Sequence, residues 1–112
     1  MNKISNKVVG IDLGTTNSCV SIIEGGKVKI TQDENGENTT PSVVLFDEKG
    51  EKEAVGESAK SRAALEPKRV IFETKRLIGR KFSPAEEKEK TEIKQFREIA
   101  PFKIVPSKKG DA

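Results

Sequence analysis

The sequence predicts a mixed α/β fold, with an antiparallel β-meander over residues 1–40 and a smaller α/β unit over residues 41–112. Three observations predict it. The first thirty-one residues hold three apolar runs, each too short for a helix and separated by glycine-containing turns. Beyond Pro41, short apolar runs alternate with stretches of helix formers. The first two runs are joined by Gly14-Thr15-Thr16-Asn17, a tight connection that leads to a strand rather than into a helix.

Val8 to Leu13 is nearly continuously apolar and reads as a strand buried on both faces. Gly14 to Asn17 is the turn, and Cys19 to Glu24 is the second strand. Gly25-Gly26 suits the positive φ of a primed hairpin turn and leads to a third strand, Val28 to Thr31. Asp33 to Thr40 contains Asn35-Gly36 and is a loop. Ser42 to Phe46 is a strand, Asp47 to Gly50 a turn, and Glu53 to Val55 a short return strand. Glu57 to Glu66 reads as a helix stopped by Pro67. Lys68 to Ile78 reads as another, with Ile71, Lys75 and Ile78 at i, i+4 and i+7 and Gly79 as its stop. Ser83-Pro84-Ala85-Glu86 has the form of a helix start, with Ser as N-cap. That helix runs to about Glu98 with a narrow stripe of Ala85, Ile93 and Phe96. Phe102 to Val105 reads as a last strand, the first arm of a hairpin, before a polar end.

Bulk properties bound the function. At 112 residues the chain is one domain or less. It is 33% hydrophobic and 35% charged, with five Phe and no Tyr or Trp. Marginal stability, or membership of something larger, is expected. The net charge of +3 is uneven: residues 60–81 hold eight basic residues and two acids. That stretch is either a solvated face or an attractor of phosphate or an acidic partner. One cysteine and no histidine exclude an intrachain disulfide, a zinc site and Ser-His-Asp or Cys-His catalysis within the chain. A reducing, cytoplasmic compartment is expected, with Cys19 as a small buried hydrophobe. No apolar run reaches membrane-spanning length, and Met1–Lys7 is too polar for a secretory signal.

The chemistry centres on the first turn. Asp12, inside an apolar strand, either bonds the N–H groups of the following turn or faces a hydrated Mg²⁺ beside phosphates. Gly14 permits positive φ and a close backbone approach. Thr15, Thr16 and Asn17 supply N–H groups and hydroxyls for an anion-binding concavity, or simply form a hairpin turn. A glycine and two threonines after a strand acid favour phosphate. The motif is neither a P-loop nor a dinucleotide fingerprint, because no helix follows. A distant lysine is then required. Lys75, on the expected inward helical face, either snorkels to water or meets a terminal phosphate.

These residues resemble the seventy-kilodalton heat-shock chaperone family of the bacterial DnaK type. The resemblance rests on Ile11-Asp12-Leu13-Gly14-Thr15-Thr16-Asn17-Ser18-Cys19-Val20, Asn38-Thr39-Thr40-Pro41-Ser42 and Val55-Gly56 before Ala59-Lys60. Thr74-Lys75-Arg76-Leu77-Ile78-Gly79-Arg80 and Pro101-Phe102-Lys103-Ile104 complete it. It implies an incomplete actin-like ATPase (ribonuclease H-like) fold and the cofactors ATP and Mg²⁺. Asp12 would stand near the metal's hydration shell, Gly14, Thr15, Thr16 and Asn17 would bind phosphates, and Lys75 would be the catalytic lysine. Unfolded client polypeptides, a J-domain co-chaperone and a nucleotide-exchange factor are the implied partners.

The family's second phosphate loop and peptide-binding domain have no counterpart among these residues. Two alternatives stand beside this reading: another actin-like kinase or filament protein, and a basic module binding nucleic acid through residues 60–81. The Thr-Lys-Arg-Leu-Ile-Gly-Arg block argues against the first. The lack of Tyr, Trp and any reading motif argues against the second. Neither nucleic acid nor membrane is an expected partner. Because closed chemistry needs positioning from both lobes, these 112 residues alone are expected to bind ATP very weakly and not to hydrolyse it. Tight, Mg²⁺-dependent binding in a calorimetric titration would refute this.

Overall fold

A computed structural model describes residues 8–112; the polar start Met1–Lys7, read above against a secretory signal, lies outside the described residues. Strands β1 (Val9–Leu13), β2 (Asn17–Glu24) and β3 (Lys27–Ile30) form the expected antiparallel meander. The Gly25-Gly26 turn has φ of 58° and 75°. Positive φ at both central residues is what a type I′ hairpin requires. A two-residue strand, β4 (Thr40–Pro41), pairs with the start of β2 through Asn17↔Pro41 and Ser18↔Thr40.

Cross-strand register places Val9 with Ile22 and Ile11 with Val20 on one face, and Asp12 with Cys19 and Ile23 with Val28 on the other. Both faces are open. Val9, Ile11 and Leu13 are 57–63% exposed, which overturns the expectation of a first strand buried on both sides. The reason is physical: an apolar strand needs a layer on each face, and the described helices pack elsewhere. The radius of gyration of 17.7 Å reflects this openness; a compact domain of about 100 residues has ~13 Å.

The second sheet has the order β6-β5-β7, from β5 (Val43–Phe46), β6 (Lys52–Val55) and β7 (Val70–Phe72). Val43 and Leu45 alternate inward along β5. They meet Ala59 of helix α1 (Glu57–Lys60) and Val70 to form the core, with Ala54, Ala63 and Phe72 packed against it. The expected helix from Glu57 to Glu66 keeps only its first turn as α-helix. Beyond it, Arg62, Ala63 and Leu65 make i→i+3 hydrogen bonds, a tighter winding that carries the chain to Pro67.

The expected helix from Lys68 to Ile78 is not formed. Val70-Ile71-Phe72 pairs instead with β5, through Val43↔Phe72, Val44↔Ile71 and Leu45↔Val70. Two β-branched residues and an aromatic fit an open strand edge better than the sparse i, i+4, i+7 stripe fits a helix face. Glu73 then turns the chain at φ 55°, and Thr74–Arg76 form one 3₁₀ turn.

Helix α2 (Glu87–Ile99) starts at N-cap Glu86 rather than at Ser83, because Pro84 is buried and residues 83–86 bend to seat it. Ala100 ends it with ψ 126°, as Pro101 disfavours helical geometry in the residue before it. Ile93 and Phe96 are buried as expected, whereas Ala85 lies outside the helix and is exposed. Phe102 packs edge-on against both Phe96 (6.1 Å) and Phe72 (5.4 Å), joining α2 to the second sheet. The expected strand from Phe102 to Val105 has no ladder partner among the described residues. Its flanking prolines cap it, and the chain folds back so that Gly110 and Ala112 bond Phe82 and Arg80. Arg97 lies 4.3 Å over the Phe82 ring there.

These packing differences give opposite expectations for two apolar residues. Leu45→Ala, at a fully buried position, should cost about 2–5 kcal/mol in urea unfolding. Ile11→Thr, at a position 63% exposed, should change stability by less than ~0.5 kcal/mol. The reverse ranking would contradict the location of the core.

Candidate functional site

The turn between β1 and β2 is closed by its own backbone. A Cβ on Gly14 would lie 2.2 Å from the Asn17 carbonyl oxygen, so no other residue fits without opening the turn. Close approach, and not the positive φ considered from sequence, is what requires glycine here; Gly14 is absent from the positive-φ residues. Thr15, Thr16 and Asn17 are exposed. Among the described residues, the N–H groups of Thr15 and Thr16 have no hydrogen-bond partner. Two unpaired donors in a glycine-closed turn suit an anion.

Two carbonyls of this turn are held from outside the meander. The Ser42 N–H donates to the Thr16 carbonyl at 2.9 Å, and the Ser42 hydroxyl donates to the Gly14 carbonyl at 2.8 Å. The Ser18 and Ser42 hydroxyls are 2.8 Å apart. Ser42 directly precedes β5, so the turn is tied to the core strand of the second sheet.

Asp12 is the penultimate residue of β1, opposite Cys19 and exposed. Exposure removes the burial cost argued from sequence. Cys19 is half-buried rather than enclosed, because the sheet has no covering layer. No group of three or more His, Cys, Asp or Glu residues able to hold a metal ion occurs among the described residues. A lone carboxylate beside an anion-binding turn fits Mg²⁺ held through water, with phosphate supplying the remaining oxygens.

Lys75 lies in the 3₁₀ turn after β7, exposed, and not on a helix face between Ile71 and Ile78. It has no ion-pair partner among the described residues, whereas Arg76 pairs with Glu73 at 3.3 Å. Four other basic residues of the 60–81 stretch are also paired: Arg62 and Arg69 with Glu66, Arg80 with Glu92, and Lys81 with Asp111. The dense positive charge seen in sequence is thus largely compensated, which removes the main support for a nucleic-acid module.

A cleft of about 250 Å³ separates the turn from the second sheet. Pro41, Val43, Ala63, Val70 and Phe72 make its floor, while Thr15, Thr16, Ser42, Lys60 and Glu73 supply polar groups. The lining is mostly apolar and Glu73 adds a negative charge, so only the edge formed by Thr15, Thr16, Ser42 and Lys60 has the chemistry for an anion. Lys75 is not part of that lining, but Glu73, two residues earlier, is. Sequence reading missed Ser42, Lys60 and Glu73 as site residues. Ser42 and Lys60 fall inside the quoted motif blocks, yet nothing in their spacing showed that they would meet at one cleft.

Gly14→Ala is expected to displace the backbone amide resonances of residues 14–17 in a ¹H–¹⁵N spectrum, while those of β5–β7 stay in place. An unchanged turn in that variant would contradict the close approach to the Asn17 carbonyl.

Comparison with known proteins agrees with the residue blocks. The family model described as Hsp70 protein matches residues 8–112. The chain is similar to the "Chaperone protein DnaK" of Buchnera aphidicola subsp. Schizaphis graminum (strain Sg), at 45% identity over 106 residues. That match covers 95% of this chain and 16% of the relative, so the chain spans about a sixth of the length of that protein. Its mixed α/β sheets agree with the actin-like ATPase fold of the matched family, and the chain belongs to the Hsp70 family.

Proposed function

We propose that this chain supplies part of the phosphate-binding wall of the ATP site in an Hsp70-type molecular chaperone. The supporting observation is the glycine-closed turn at residues 14–17, with unpaired N–H groups on the cleft-lining Thr15 and Thr16 and with Asp12 two residues before Gly14. In this reading Gly14, Thr15, Thr16 and Asn17 bind the phosphates of ATP. Asp12 orients the water shell of the metal. Bound Mg²⁺ would supply neutralisation of charge on the phosphate oxygens.

Lys75 is the proposed catalytic residue. Its ammonium, exposed and free of any ion-pair partner among the described residues, is available to neutralise charge at the terminal phosphate or to orient the attacking water. Lys60, in the cleft wall, adds a second positive charge near the turn. In the whole protein, ATP binding and hydrolysis would control the affinity of a distant site for unfolded client polypeptides. A J-domain co-chaperone and a nucleotide-exchange factor would act through that protein, in the cytoplasm.

The test uses a chimera in which residues 8–112 replace the matching segment of the Buchnera relative. Lys75→Ala there should lower single-turnover ATP hydrolysis by about 10²–10³-fold, the usual effect of removing one preorganised donor. ATP affinity should change far less. Asp12→Asn should weaken Mg²⁺-dependent binding but not Mg²⁺-free binding. A Lys75→Ala chimera that hydrolyses ATP at the unsubstituted rate removes Lys75 from the mechanism.

A further inference from the structure

We propose that Ser42 is a positioning residue for the phosphate turn, acting through a one-way hydroxyl relay that begins at Ser18. The proposal rests on the reading of residues 14–17 as a phosphate site. A hydroxyl has one hydrogen. That of Ser42 goes to the Gly14 carbonyl at 2.8 Å. The 2.8 Å contact between the Ser18 and Ser42 hydroxyls is therefore donated by Ser18. The order is fixed: Ser18 hydroxyl to Ser42 hydroxyl to Gly14 carbonyl. Consecutive bonds of one sense polarise each other, so the last link is stronger than an isolated serine contact.

Ser42 also gives its N–H to the Thr16 carbonyl at 2.9 Å. One residue thus holds the carbonyls on both sides of Thr15. Peptide planarity makes the consequence general: fixing a carbonyl fixes the N–H of the next residue, which points the opposite way. Holding the Gly14 and Thr16 carbonyls orients the N–H groups of Thr15 and Asn17. The Thr15 N–H, one of the two unpaired donors, is thus set before any anion arrives, and its ordering cost is not charged against binding.

The anchor is rigid because of its neighbours. Ser42 sits between Pro41, paired in β4, and Val43, buried in the core. Gly56, buried, donates its N–H to the Val43 carbonyl at 2.9 Å. A Cβ on Gly56 would stand 2.8 Å from Thr40 Cγ2. Glycine there lets the start of α1 seat directly against β4, and the second sheet thereby holds the turn of the first.

The experiment places Ser42→Ala, Ser42→Thr and Ser18→Ala in the chimera described above and compares each with the unsubstituted chimera by ¹H–¹⁵N spectra, without ligand and during titration with MgATP. Ser42→Ala should move the amides of residues 14–17 in the ligand-free protein and weaken MgATP binding about tenfold. Ser42→Thr keeps the hydroxyl and should stay within about twofold of the unsubstituted chimera. Ser18→Ala should move the same amides by a smaller amount, and it serves as the test if Ser42→Ala does not fold. Turn amides that stay in place in the alanine variants overturn the positioning role. So does a Ser42→Thr variant as impaired as Ser42→Ala. If MgATP moves no amide of the turn in the unsubstituted chimera, the phosphate reading fails and with it the purpose of the relay. The ligand-free spectra still report separately whether Ser42 holds the turn.

Discussion

A three-residue connection between two strands has more backbone polar groups than its own hydrogen bonds can satisfy. In this chain the surplus carbonyls, at Gly14 and Thr16, are met by one residue, Ser42, at the junction of β4 and β5. That choice decides the rest of the structure around the site. The carbonyls are occupied, while the Thr15 and Thr16 N–H groups have no partner among the described residues. Because Ser42 precedes Val43, the turn shares its rigidity with Leu45, Ala59 and Val70 in the core. Core packing and site geometry are therefore one mechanical unit, and a cavity near Val43 would be felt at the turn as well as in stability.

The two sheets are stabilised in different ways. The β6-β5-β7 sheet buries side chains against α1, and its edge strand β7 reaches α2 through Phe72, Phe102 and Phe96. The meander relies on ladder hydrogen bonds and cross-strand pairs, with apolar side chains open on both faces. Open, apolar strands of this kind carry little burial energy. Tethering at β4 and Ser42 therefore matters more to the meander than a similar link would to a covered sheet.

Charge is arranged so that few cations remain free near the site. Glu66 takes up Arg62 and Arg69, and Glu73 takes up Arg76. Arg76 also lies 5.4 Å from the centre of the Phe96 ring. Lys60, at the cleft, and Lys68 and Lys75, outside its lining, have no ion-pair partner among the described residues. A dense basic stretch in sequence thus becomes three unpaired ammonium groups in space, one of which lines the cleft.

Local chemistry alone determined the meander, its Gly25-Gly26 turn and the β5–β6 hairpin. Strand alternation and glycine turns depend on neighbours within a few residues. The same holds for the paired turns at Asp33 and Asp47, where each carboxylate accepts two N–H groups and a glycine follows three residues later. The motif blocks that contain Asp12, Gly14 to Asn17 and Lys75, and that match the family, were likewise readable in order. Tertiary structure decided the rest. Val70-Ile71-Phe72 became a strand because β5 offered an edge, a fact no window around Lys75 contains. Val9, Ile11 and Leu13 stayed exposed because nothing described covers them. The meeting of Ser42 with Gly14 spans twenty-eight residues. Periodicity reports which face of an element is apolar; which partner fills that face, and which distant hydroxyl satisfies a carbonyl, is settled only when the elements pack.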